Sequence, residues 1–193
     1  SWIEGEKEDE TRWEIGHFLH LATKSNPTIL EVFKAPKSEG FKYTLVGEEL
    51  KNLFPYFWSS KGVYHAYRGY SHNQHKKMFD EKEEFSKRKF KYAVAYLRVL
   101  LQGIELLRNC DFHIKVQEKY SFHTSGLIKI QENNKWDSLL RTIKLGKISV
   151  GEIIDIAELL REEFNLAYEF NPRKEVNYDK VNEFLLNIRK EYW

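Results

Sequence analysis

The chain has 193 residues, and its 31 Lys and Arg stand against 29 Asp and Glu, a formal net charge of +2. That length supports one substantial core, so a single domain over 1–193 is expected, and the near-balanced charge excludes a generic polyanion binder. Cys110 is the only cysteine, which excludes an intramolecular disulfide and a Cys-based zinc cage and fits a reducing cytoplasmic setting, while no apolar run approaches the length of a membrane span.

In chain order, the run Glu4–Glu10 reads as a solvated acidic loop. A helix is expected near 11–24, because Ile15, Phe18, Leu19 and Ala22 fall at helical spacing. Asn26-Pro27 makes a hard turn in which Asn26 caps a second helix near 28–35, with Pro27 at a position that needs no amide donor. Further helices are expected near 47–58, 61–78 and 83–109. The last of these has no Pro and is rich in Ala, Leu and Lys, which makes it the spine. Between Phe112 and Ile130 the pattern changes. His113-Ile-Lys-Val116 and Leu127-Ile-Lys-Ile130 alternate around a Ser-Phe-His-Thr-Ser-Gly stretch, which predicts a small β element. Helices resume near 136–143, 150–168 and 177–191. Ile153, Ile156, Ala157, Leu160 and Phe164 stripe one, and Val181, Phe184, Leu185 and Ile188 stripe the last. The expected class is mainly α (α+β), a multi-helix domain with a small β element near 112–130.

Four groups of residues carry candidate chemistry. Lys87, Lys91 and Arg98 fall at i, i+4 and i+11 on one face of the spine, with Phe90, Tyr92 and Tyr96 interleaved. A cationic row beside aromatics suits phosphates and bases, and it equally describes a solvated basic face. Tyr67, Tyr70, Gln74 and Lys77 form one stripe of the preceding helix, explained by substrate contact or by helix packing; Arg68, Lys76 and Lys77 add positive charge if that helix flanks the spine. His17 with His20, and His72 with His75, lie one turn apart; each pair could share a metal, although core-edge or polar contacts also explain them. Glu14-Ile-Gly-His17 has the Glu-x-x-His spacing of di-iron bundles but no second copy. No P-loop, no Gly-x-Gly-x-x-Gly and no Gly-x-Ser-x-Gly elbow occurs. Cys110, at the end of an apolar helix, is expected to be a buried thiol.

The stretch from Trp13 to Pro36, with Glu14 opening the helix and Asn26-Pro-Thr-Ile-Leu-Glu31 at the turn, resembles the YcgL-type nucleotidyltransferases of the polymerase-beta-like superfamily. The Lys91-to-Leu101 pattern resembles that family's long helix, with Ala95 where the family has a His, and Gly69-Tyr70-Ser-His-Asn-Gln74 is similar to another of its segments. The resemblance implies attack of a hydroxyl, with RNA as acceptor, on the α-phosphate of a nucleoside triphosphate. It also implies Mg²⁺, with Asp9 (or Glu10, one residue on) as one ligand, Glu14 in the catalytic motif, and Lys87, Lys91, Arg98, Tyr70 and Gln74 against nucleotide or phosphate. The Gly-Ser turn and Asp-x-Asp strand of that family are absent from the sequence. The resemblance therefore covers the C-terminal portion of such an enzyme, following a missing catalytic sheet. The other reading is a non-catalytic helical module that binds nucleic acid or a protein partner through the Lys87–Arg98 face.

Overall fold

The computed structural model describes residues 13–35, 44–80, 88–114, 136–171 and 174–192. In that part the chain forms α1 (Ile15–Thr23), α2 (Pro27–Lys34), α3 (Leu45–Asn52), α4 (Ser60–Met78), α5 (Arg88–Asn109), α6 (Trp136–Lys144), α7 (Val150–Phe170) and α8 (Tyr178–Tyr192). The described residues contain no strand, so the fold is mainly α. The β element expected near 112–130 falls largely outside them; its first described residues, 112–114, are irregular.

Local chemistry sets the helix ends. Asn26 accepts from the Ile29 amide at 3.2 Å and Pro27 opens α2, as the Asn-Pro turn requires. Ser25 takes a positive φ of 56° to turn α1 into α2, and its hydroxyl accepts from the Ser59 amide just ahead of α4. A capping box of Ser149 and Glu152 starts α7. The helix expected over 47–58 is divided: α3 ends at Asn52, and a 3-10 turn, Phe54–Tyr56, follows. Pro55 is the cause, because its ring nitrogen donates no amide hydrogen bond and so cannot extend the α3 ladder.

The centre of the core is a stack of α4, α5 and α7, with α4 on α5 the most extensive pairing and α5 on α7 the next. Ile153, Ile156, Ala157, Leu160 and Phe164 are all buried, as their spacing predicts, whereas in α8 only Val181 and Phe184 are buried and Leu185 and Ile188 pack at the margin. Gly103 sits where the three helices meet. A Cβ there would lie 2.6 Å from Phe164 Cε2 and 2.9 Å from Tyr67 Cδ1, so the absence of a side chain lets both rings close on the spine. A second set of rings, Phe18, Phe33, Phe54, Phe57 and Phe112, fills the end built by α1, α2 and the 3-10 turn. These rings are core, not an exposed stacking platform.

Candidate functional site

The acidic end of the resemblance is only partly visible. Asp9, Glu10 and Lys87 lie outside the described residues. Glu14 is the N-cap of α1 and accepts from the His17 amide at 2.8 Å. Backbone amides of Gly16 and His17 are the main cause that holds its carboxyl below the ordinary 4.5, with a smaller pull from Arg189. Its charge is thus spent on the helix start. Among the described residues no group of three His, Cys, Asp or Glu can hold a metal ion, so they do not fit a magnesium centre. His17 and His20 are exposed on α1.

The spine face is compensated. Arg98 faces Glu31 of α2 across 3.5 Å, and the buried Gln102 donates to the same carboxylate oxygen at 3.0 Å. Tyr70, Ala95, Arg98 and Glu31 line one cavity of about 20 Å³, so the structure does bring Tyr70 and Arg98 together. That volume holds no nucleotide; about one water fits. Lys91, two turns earlier, is exposed, and Gln74 is buried in the α4 packing face with Tyr67. The Tyr67 hydroxyl is raised far above its ordinary value by burial, with Glu31 adding to the effect. It has no hydrogen-bond partner among the described residues.

A larger concavity opens on a different side of α4, where α4, α5 and α7 diverge. It has a volume of about 720 Å³, within the range of small-ligand sites. His65, Arg68, His72 and His75 line it from α4. The spacings of three, four and seven residues put them along one stripe. From α7 come Arg161 and Asn165, and Tyr96, Leu100 and Phe164 close the floor. No carboxylate lines the cleft among the described residues.

Each guanidinium in the cleft meets a phenol. Arg68 donates to the Tyr64 hydroxyl at 3.1 Å, which in turn donates to Asn165 at 3.2 Å. Arg161 lies beside the Tyr96 hydroxyl, whose pKa is raised mainly by burial, with Arg161 opposing that shift and Glu158 adding to it. His75, edge-on to Tyr96 at 5.6 Å, is held below its ordinary 6.5 by burial, then by Arg161 and His72. It is therefore an uncharged imidazole at neutral pH in a positive field.

Sequence reasoning singled out Arg68, His72 and His75 in this group and left the two His open between a shared metal and core-edge or polar contacts; among the described residues no group of three or more ligands joins them. It missed Arg161 and Asn165. A signal existed: both sit on the helix whose buried stripe was legible, beside Leu160 and Phe164. Cys110 is also corrected. The thiol is exposed, because Cys110 follows the last residue of α5 with a positive φ of 56° and turns out of the apolar face.

A helical bundle with a cationic cleft is compatible with many functions, and comparison with known proteins narrows them. The family model described as RNA repair pathway DNA polymerase beta family (RlaP) matches residues 3–187. The chain belongs to that family. The polymerase-beta-like kinship expected from the Trp13–Pro36 stretch is thereby shown at the level of this RNA-repair family, which is not the YcgL-type label. No curated protein and no solved structure matches the chain.

Proposed function

We propose that this chain is the helical, C-terminal portion of a cytoplasmic nucleotidyltransferase that moves a nucleotide from a nucleoside triphosphate to a hydroxyl, with RNA as the acceptor. Membership of an RNA-repair polymerase-beta family over residues 3–187 is the observation that carries the reading. Among the described residues no helix is long and apolar enough to cross a membrane.

In this reading Asp9 is one magnesium ligand, and the sequence holds no Asp-x-Asp pair to stand beside it. Bound magnesium would supply charge neutralisation at the triphosphate. Glu14 acts by fixing the start of α1, five residues after Asp9. Lys87 and Lys91 are the proposed phosphate contacts of the spine; Arg98, answered by Glu31, joins them only where a phosphate displaces that carboxylate, which the pairing disfavours. Tyr70, beside Arg98, is the proposed neighbour of the sugar or base, with Gln74 supporting it from the buried side.

A binding measurement tests this. Titration of a nucleoside triphosphate with and without Mg²⁺ should show tighter binding with the metal, and Asp9→Ala should remove that gain. The protein as its source makes it should also transfer labelled nucleotide to an RNA hydroxyl. Binding indifferent both to Mg²⁺ and to Asp9→Ala, with a steep loss in salt of about 0.7 log units per log unit for each single-strand phosphate contact, would instead favour a non-catalytic RNA-binding module. The absence of Asp-x-Asp from the sequence is the observation on that side.

A further inference from the structure

We propose that the cleft between α4, α5 and α7 is a phosphate-binding site, taking the phosphate group of a nucleotide or of an RNA end against Arg68, Arg161 and the three imidazoles. The assignment of the phosphate to a nucleic-acid substrate rests on the proposed transferase reading; the existence of an anion site does not.

Three observations point to an anion. First, the lining is asymmetric in charge: two guanidiniums face one volume that no described carboxylate lines, and three imidazoles beside them offer ring N–H donors. Focused positive potential in a concave, partly apolar wall attracts phosphate more strongly than the same charges on a flat surface. Second, both arginines stand beside neutral oxygens. Arg68 donates to the Tyr64 hydroxyl, and Arg161 lies close enough to the buried Tyr96 phenol to oppose the rise of its pKa. A phenol orients a guanidinium without neutralising it, so donors remain for a two-pronged contact with phosphate. The contrast with Arg98, which faces the Glu31 carboxylate, is internal to the same bundle.

Third, the floor is stiff. Phe164 lies on Gly103 and stacks with Tyr64 at a centroid distance of 5.6 Å, and Tyr64 stacks on Tyr168 at 4.3 Å. The Tyr64 ring thus connects the packed core to the Arg68 guanidinium. A site whose donors are positioned before the ligand arrives loses less entropy on binding. The volume also exceeds what a lone phosphate needs and accommodates a nucleotide. Glu158, close enough to Tyr96 to raise its pKa, is the nearby negative group that moderates the field.

The test uses the 193-residue chain and four probes: a nucleoside triphosphate, tripolyphosphate, a short RNA with a 3′-phosphate, and the same RNA dephosphorylated. Binding is read by calorimetry or anisotropy at low salt. At least one phosphate-bearing probe should bind, and Arg68→Gln and Arg161→Gln should each weaken it about tenfold, the loss expected for one charge-assisted contact. Lys144→Gln, an equal charge change on exposed α6, should leave it unchanged. Competition by tripolyphosphate assigns the site to the nucleotide; preference for the 3′-phosphorylated RNA over its dephosphorylated form assigns it to an RNA end. Arg68 is exposed, so its variant keeps the fold even where Arg161→Gln does not. Binding unchanged in Arg68→Gln and in a folded Arg161 variant, or no binding of any phosphate probe, overturns the proposal. Failure of nucleotide transfer with phosphate binding intact removes the transferase reading and leaves the site standing.

Discussion

Two cationic regions flank α5, and they differ in what answers their charge. On the α2 side, Arg98 meets Glu31, and Gln102 donates to the same carboxylate. On the α4–α7 side, Arg68 and Arg161 meet tyrosine hydroxyls around an open volume. The first arrangement is internally neutral and resembles a packing joint. The second keeps its charge, which is what an anion site needs. Counting basic residues along one helix cannot separate the two cases, because the answering group comes from another helix.

The comparison breaks most severely if the shared scaffold is removed. Phe164→Ala deletes the ring that floors the cleft and contacts the spine at Gly103, and should cost about 3–5 kcal/mol in urea unfolding. It should also weaken phosphate binding beyond the stability loss, since Tyr64 and thus Arg68 lose their support. Gly103→Ala adds a methyl where Phe164 and Tyr67 already touch, and should cost about 1–3 kcal/mol by the same measurement.

Sharper tests change charge and spare volume. Glu31→Gln leaves Arg98 without its carboxylate. The half-exposed pair is worth about 0–1 kcal/mol in stability, but the variant should gain phosphate affinity on the α2 side, detectable by calorimetry. If Arg98 already binds phosphate as strongly as the cleft does, no gain appears and the comparison fails. The smallest effect concerns Glu14. Its folded-state carboxyl is depressed below the ordinary 4.5, so its contribution is present above that value and lost as pH falls through the lower folded-state value. Glu14→Gln should lower stability slightly near neutral pH, flatten acid unfolding in that window and leave stability below it unchanged.

Much of the helical frame was legible from spacing alone. The Asn26-Pro27 turn, the α7 stripe and the long spine all follow from local rules that act within a few residues. The α3 break at Pro55 was not read, because the apolar run around it suggested one continuous helix over 47–58. The exposed Cys110 was not legible, since the positive φ after Asn109 depends on how α5 ends against the loop rather than on the thiol. The cleft was half legible. Arg68, His72 and His75 share a stripe that any helical wheel shows, yet Arg161 joins them only because Gly103 lets α7 close on α5. That juxtaposition spans three helices, and periodicity within one helix carries no information about it. Asp9, by contrast, entered through kinship alone.

One paired measurement bears most directly on the difference between the two regions: the affinity of a nucleoside triphosphate for the unmodified chain, for Arg161→Gln and for Arg98→Gln, at one low salt concentration. A loss of about tenfold in Arg161→Gln with little change in Arg98→Gln is the predicted result. A loss confined to Arg98→Gln would contradict it, moving the phosphate to the α2 side and leaving the open cleft without a ligand.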